Sequence, residues 1–382
     1  MTGPVHPLAG LRCVELSERG AGGYAGKLLR RLGAEVVKLE AGEGDPLRHR
    51  GSFPHRADGR HTTAAFDYFN EGKPVAGIAT GADLVRLCEG ADACIVDLEP
   101  ARRAALGIDH ELVRRLPVRV VALISPFGES GQYAGYRGPE IVTSAFGGVN
   151  VAIGQPDRPP LKIPLMQGAV QGGLIAGIAV LGHLCGPAGE SAPDRPAGEP
   201  AVAEVSVTDV WATVHTGTTL VAYLFGNRVR GRYGHRVLGA PYPHQLFRCQ
   251  DGWIAIQASE KHQYREFLEM VGKADWYAER PFGSRRAMND EHGDAVDAAL
   301  APWFMARTRA EIAAECRRRK IPAAQVQTVS EVRDDPALRE RGCLETFEGG
   351  TGVPVTAPRP PFRFRTASLT PPGPVPVREE GR

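Results

Sequence analysis

The chain has 382 residues, of which 42% are apolar and 24% charged, and that length exceeds what one hydrophobic core usually organises, so two domains are expected. Nearly equal numbers of basic (46) and acidic (44) side chains leave a net charge of +2. That is too weak a field to gather nucleic acid or an anionic membrane surface, so the expected partners are small molecules and further copies of the chain.

Seven scattered cysteines with no CxxC spacing argue against a disulfide framework and a zinc site, and no metal is expected. The opening MTGPVHPLAG has neither the basic nor the apolar stretch of an export signal, which makes a cytoplasmic setting the expectation. Residues 11–17 (LRCVELS) read as a buried strand, 23–32 as a helix with a solvated basic face, and 34–40 (AEVVKLE) as a second strand, together a βαβ unit. A helix at 81–90, a strand at 92–98, a short helix near 102–115 and a strand at 119–125 continue the alternation, predicting a mostly parallel sheet covered by helices. Helices are predicted at 139–148 and 168–185; the second is apolar nearly all round, so it is expected to be buried, with its glycines allowing close helix packing. The Pro-, Gly- and Ala-rich stretch 185–200 reads as an exposed connection before a strand (AVAEVSV) and a helix at 208–225. From about residue 235 the texture changes: Asp251-Gly252 between two strand-like runs signals a hairpin, and helices near 262–272, 294–306 and 309–319 predict a smaller α+β domain.

Six segments in order carry a resemblance: PLAGLRCVELSERGAGGYAGKLLRRLGAEVVKLEAGEGDPLR at the start, FNEGKPV (69–75), ISPFGESGQYAGYRGPEI (124–141), EVSVTDV (204–210), APYPHQLFRCQDGWIAI (240–256) and IPAAQVQTVSEVRDDPALRERG (321–342). Over essentially the whole length they resemble the class III CoA-transferase (CaiB/BaiF) family, which includes formyl-CoA transferase and α-methylacyl-CoA racemase. The resemblance implies an α/β fold: a large Rossmann-like domain built from both ends of the chain, a smaller α+β domain from the middle, and two subunits threaded as an interlocked homodimer. On that plan residues 1–200 are the first part of the large domain, 201–230 a connecting strand and helix, 231–321 the small domain, and 322–382 the return to the large one. Family members bind an acyl-CoA in a cleft between domains. A carboxylate attacks the thioester, giving an acyl anhydride and then an enzyme thioester, before the acceptor acid takes the CoA; racemases of the same fold use a His and an Asp to move the α-proton.

The resemblance assigns the nucleophile to Ala169, or to Gly168 if the register slips by one, and no Asp or Glu occurs from Arg158 to Gly189. No histidine lies between His110 and His183, so the racemase histidine expected near Pro139 is also missing. An alanine cannot be acylated, and transfer through an aspartyl intermediate is not expected. The expectation is a divergent family member acting on a carboxylic acid, an acyl thioester or a related metabolite. The alternatives are a repurposed dehydratase, cyclase or isomerase using non-covalent acid–base chemistry, and a ligand-binding pseudoenzyme. CoA or acyl-CoA is what the resemblance implies as the bound group, through Lys38, Arg48, Asn70 and Lys73 near the cleft entrance and through Arg137. Against it, Asp97-Leu98-Glu99-Pro100 stands where many relatives have Asn-Phe-Arg-Pro, so an anion replaces a cation beside the phosphates. Arg102 and Arg103, one turn on, either compensate or form a solvated helix face. Glu140 is the first candidate general base, because burial beside apolar helices raises a carboxylate's pKa; its structural alternative is to cap or salt-bridge the start of its own helix. His244 is the second candidate, a structural histidine beside aromatic residues being the alternative.

Gly20-Ala21-Gly22-Gly23-Tyr24-Ala25 also fits the dinucleotide fingerprint in its alanine form, between a strand and a helix and with Glu40 about 20 residues on, which keeps an NAD-dependent enzyme as a minor alternative. No GxSxG elbow, Walker loop or HExxH motif is present, and Cys249 near His244 reads as a buried structural cysteine.

Overall fold

The computed structural model describes residues 5–49, 62–186, 196, 198–216, 223–226, 231–237 and 239–376. The described residues fall into two compact units, one within Met1–Asn150, Lys162–Val229 and Arg339–Arg382, the other within Val151–Leu161 and Arg230–Leu338.

In the large unit β1 (Arg12–Ser17), β2 (Glu35–Ala41), β3 (Val75–Ile78), β4 (Ala93–Asp97), β5 (Val120–Ser125) and β6 (Ala201–Ser206) form one sheet in the order β3-β2-β1-β4-β5-β6. Every pairing in it is parallel. β4 and β5 are buried at every position, as strands covered on both faces must be. Their side chains alternate between two cores: Ile95 and Ala122 belong to one, Cys94, Val96 and Leu123 to the other. The helices are α1 (Ala21–Arg31), α2 (Ala64–Asn70), α3 (Gly81–Leu87), α4 (Pro100–Ala105), α5 (His110–Arg114), α6 (Glu140–Phe146), α7 (Gln167–Leu184) and α8 (Val207–Trp211).

Among the described helices, α7 alone has the length and apolarity of a membrane span, but its small residues belong to a protein core. Gly168, Ala169, Gly172, Gly173, Ala176 and Gly177 are buried, and a side-chain carbon at Gly173 would lie 2.4 Å from the Ala21 carbonyl of α1. The larger apolar residues point away: Ile178 is 56% exposed and Leu174 46%. The helix predicted to be buried all round is therefore buried on one side, along its small residues and Val180, because close approach to α1 selects glycine and alanine there.

In the second unit β7 (His244–Cys249) and β8 (Gly252–Gln257) form the predicted hairpin around Asp251-Gly252, and β9 (Ala323–Gln325) adds antiparallel to β8. Aromatic residues fill its core, with Phe247 stacked on Phe304 at 4.2 Å. Pairing of β9 keeps the residues after 322 in this unit, so the chain re-enters the large unit at Arg339 and not at 322. The returning hairpin, β10 (Leu344–Glu348) and β11 (Pro354–Pro358), places Phe347 and Ala357 in one cluster with Tyr24, Phe66 and Phe69.

A buried charge network ties the large unit together. Glu15 of β1 accepts from Lys73 at 2.6 Å and from Lys38 of β2 at 3.4 Å, and all three side chains are fully buried. Burial alone would raise the Glu15 carboxyl; Lys73 and Lys38 bring it below the ordinary carboxylate range. Lys27 of α1 has no such partner. It is 1% exposed, donates to the Tyr68 carbonyl at 2.7 Å and stands 3.4 Å over the Tyr68 ring. Burial pushes its ammonium down from 10.5 to about 7. Between those values the unfolded chain holds a proton that the folded chain lacks, so this site makes stability rise with pH across the window. The stability of Lys27→Met relative to the parent should therefore fall by about 1.4 kcal/mol per pH unit above neutrality, measured by urea unfolding from pH 7 to 9.5. A difference that stays constant over that range contradicts a neutral buried lysine.

Candidate active site

β1 and β4 are neighbours whose connections leave in opposite directions, β1 toward β2 and β4 toward β5, and such a switch leaves a crevice at the carboxyl ends of the two strands. A cavity of about 430 Å³ lies there. Glu18 and Arg19 follow β1, Asp97 ends β4, Glu99 follows it, and Val207 follows β6. Arg137, Gly138, Pro139 and Glu140 reach the cavity from the segment after β5, and Met166 and Ala169 from the start of α7.

Asp97 is fully buried, and its Oδ2 accepts from the Gly22 amide at 2.9 Å, in the first turn of α1. Its Oδ1 makes no hydrogen bond and faces Arg19 Nη1 at 3.8 Å. Burial raises the Asp97 carboxyl above its ordinary range, with Arg19 and the Gly22 and Ala21 amides pulling the other way. Arg19 also stands 3.4 Å from Glu99 and donates to the Gly138 carbonyl at 3.0 Å. Glu18, raised by burial, accepts from Arg102 at 3.0 Å.

Ala169 is 5% exposed and lines the cavity. At Gly168 a side-chain carbon would lie 2.7 Å from Trp211 Nε1 and 3.0 Å from Glu140 Oε2. Position 168 thus has no room for a nucleophile, and Ala169 is the cavity-facing residue of the two. Glu140 is half-buried, less sheltered than expected, and its Oε1 accepts from the Gly168 amide at 2.7 Å. It caps α7, whereas the structural alternative placed it on its own helix α6.

Most of the residues expected to bind CoA are engaged within the fold. Lys73 gives its three donors to Glu15, the Gly23 carbonyl and Asn70, and Lys38 binds Glu15, Asp45 and Ser17. Asn70 accepts from Lys73 and donates to the Phe66 carbonyl. Arg48 is held by Glu40 at 2.7 Å and stacks 3.8 Å over Phe66. These four side chains are interior, and their polar atoms are spent on the fold. Arg102 is bound to Glu18 and the Ala41 carbonyl, and Arg103 to Glu129 at 2.5 Å, so neither is a solvated face. Arg137 alone of the seven is exposed on the cavity without a partner among the described residues. His244 opens β7 in the other unit, and its backbone carbonyl accepts from Val237.

The dinucleotide reading fails on the same geometry. The α1 amide that would meet a pyrophosphate is taken by Asp97, and Glu40, the ribose acid of that fingerprint, is taken by Arg48. Sequence reasoning missed Glu18, Arg19, Asp97 and Glu99 as a group. The available signal was their position directly after two buried strands, but that the strands are adjacent is not written in either segment.

The model of CoA-transferase family III matches residues 8–380. Succinate–glutarate CoA-transferase of Agrobacterium fabrum is 26% identical over 378 residues, covering 95% of this chain and 92% of its own length. Succinyl-CoA–D-citramalate CoA-transferase of Chloroflexus aurantiacus is 27% identical over 340 residues, covering 87% and 81%. The crystal structure of a CaiB/BaiF family protein from Brucella suis superposes with a TM-score of 0.83 at 26% identity, covering 97% of this chain and 96% of that one.

The Glu140 cap yields a paired test by urea unfolding. Glu140→Ala should lose about 1 kcal/mol, and Glu140→Gln, which keeps the accepting oxygen, should stay within about 0.5 kcal/mol of the parent. An alanine variant as stable as the parent would show that the contact to Gly168 contributes nothing.

Proposed function

Because the chain belongs to CoA-transferase family III, we propose that it acts on a carboxylic acid and its thioester at the switch-point cavity, without an aspartyl nucleophile of its own. The observation that carries this is Ala169: the cavity-facing residue at the position the resemblance assigns to the nucleophile ends in a methyl group, and no acid occurs between Arg158 and Gly189. Relatives named for succinate, glutarate and D-citramalate support a small carboxylic acid as one substrate. The lining suits an uncharged pantetheine arm better than nucleotide phosphates, since Glu18, Asp97, Glu99 and Glu140 stand in it against two guanidinium groups, Arg19 and Arg137.

Proton transfer is the chemistry the lining supports. Asp97 is a buried carboxyl with a raised pKa, held in place by an amide, and Glu140 is a second carboxylate fixed at one oxygen. Two carboxyl groups in unlike surroundings are suited to giving and taking a proton in a dehydration, cyclisation or isomerisation. A dimer completes the reading. Ile141 and Phe146 of α6 are 57% and 55% exposed, and with Ile178 of α7 they leave apolar surface that a second copy would cover.

Incubated with succinyl-CoA and an acceptor acid, the native protein should form no hydroxylamine-sensitive adduct, and Ala169→Asp, which puts a carboxylate into the cavity, should form one. An adduct on the native chain, read by intact-protein mass spectrometry, would overturn the reading. Light scattering of the native protein should give twice the chain mass, and a well-folded monomer would count against the dimer.

A further inference from the structure

We infer that the acid received by this cavity carries an ammonium group: the structure assigns Arg19, Asp97 and Glu99 to an amino-carboxylate, such as an amino acid. This rests on the reading of the cavity as the acid site and adds what the acid must carry.

Three buried polar atoms in the wall lack hydrogen-bond partners among the described residues: Arg19 Nη1, Asp97 Oδ1 and Glu99 Oε2. The rest of each side chain is engaged. Asp97 Oδ2 has the Gly22 amide at 2.9 Å, Arg19 Nη2 has the Gly138 carbonyl at 3.0 Å, and Arg19 Nε is 3.4 Å from Glu99 Oε1. Each buried orphan costs about 1–3 kcal/mol, and three on adjacent strand ends make a surface that a complementary ligand relieves. The set is one donor and two acceptors, so its complement is one acceptor and two donors. A carboxylate oxygen answers Arg19 Nη1, and the N–H groups of an ammonium answer Asp97 Oδ1 and Glu99 Oε2.

Charge selects the same ligand. Arg19 stands 3.8 Å from Asp97 and 3.4 Å from Glu99, and in the lining as a whole Glu18, Asp97, Glu99 and Glu140 face Arg19 and Arg137, with Arg102 on Glu18, which leaves a negative excess in the wall. An ammonium cancels that excess. A second carboxylate would add to it, and a hydroxyl supplies one donor without charge. The cavity of about 430 Å³ has room for such a molecule. Asp97, fully buried and held by the Gly22 amide, is fixed before the ligand arrives.

The test is calorimetric titration near neutral pH with two pairs of acids of equal carbon chain, glutamate against glutarate and aspartate against succinate. The ammonium-bearing member of a pair should bind about tenfold tighter or better, and Glu99→Gln and Asp97→Asn should each bring the ratio to within about twofold. Glu99, with 25% of its side chain exposed, tolerates substitution better than Asp97, so Glu99→Gln decides the matter if Asp97→Asn does not fold. Equal binding within both pairs, no binding of any of the four acids, or a ratio unmoved by Glu99→Gln overturns the assignment. Titration with succinyl-CoA separates the two readings. A protein that binds the thioester without preferring the amino acids loses this inference and keeps the proposed function. One that prefers the amino acids but binds no thioester keeps the subsite and loses the proposed function.

Discussion

The large unit is organised around one buried carboxylate, Glu15, set between Lys38 and Lys73. Through it β1 is tied to β2, and through the Gly23 carbonyl and Asn70 on Lys73 also to α1 and α2. Removing one member of such a pair strands the other charge in the interior, at a cost of about 3–5 kcal/mol, so the network is more a condition on the fold than a surplus of stability. Its consequence reaches the cavity. Every cation committed to the interior is one the cavity wall lacks, and the wall is left with more carboxylates than guanidinium groups.

That imbalance and the alanine at position 169 belong together. A covalent mechanism needs a carboxylate free to attack a thioester, and a carboxylate already bonded to a helix amide and facing an arginine, as Asp97 is, is a poor nucleophile. The same confinement favours a different role. A buried carboxyl whose pKa is raised, with one oxygen fixed and one uncommitted, is poised to exchange a proton and is oriented to recognise a donor. The acid groups of this cavity stand at the strand ends, where α1 and the sheet hold them.

How much was legible in the sequence followed the range of the interaction. The βαβ opening, the buried strand at β5 and the hairpin at Asp251-Gly252 are set by local periodicity and turn chemistry, and each stands where the pattern put it. β3, with four residues, is too short to show a period and owes its state to β2. The candidate site was legible in part. Ala169 and Glu140 line the cavity as their segments suggested. That Lys38, Arg48, Asn70 and Lys73 are paired in the interior is not written in their segments, because a lysine paired inside a protein and one waiting for a phosphate are the same letter. Only the partner, contributed by Glu15 or Glu40 from another strand, tells them apart.

The strand order supplies what the letters cannot. Asp97 and Arg19 are separated by nearly eighty residues in sequence, and they meet because β4 lies beside β1 while β2 and β5 depart to opposite sides. Once that adjacency exists, the small residues of α1 and α7 bring two helices close enough to wall the crevice, and Gly168 denies position 168 any side chain. Ala169, Glu140, Asp97, Arg19 and Glu99 then line one cavity. Chemistry at this site therefore depends on which protons its carboxylates hold and on which donors its ligand brings, and both are properties of the charge arrangement at two strand ends, not of any single residue.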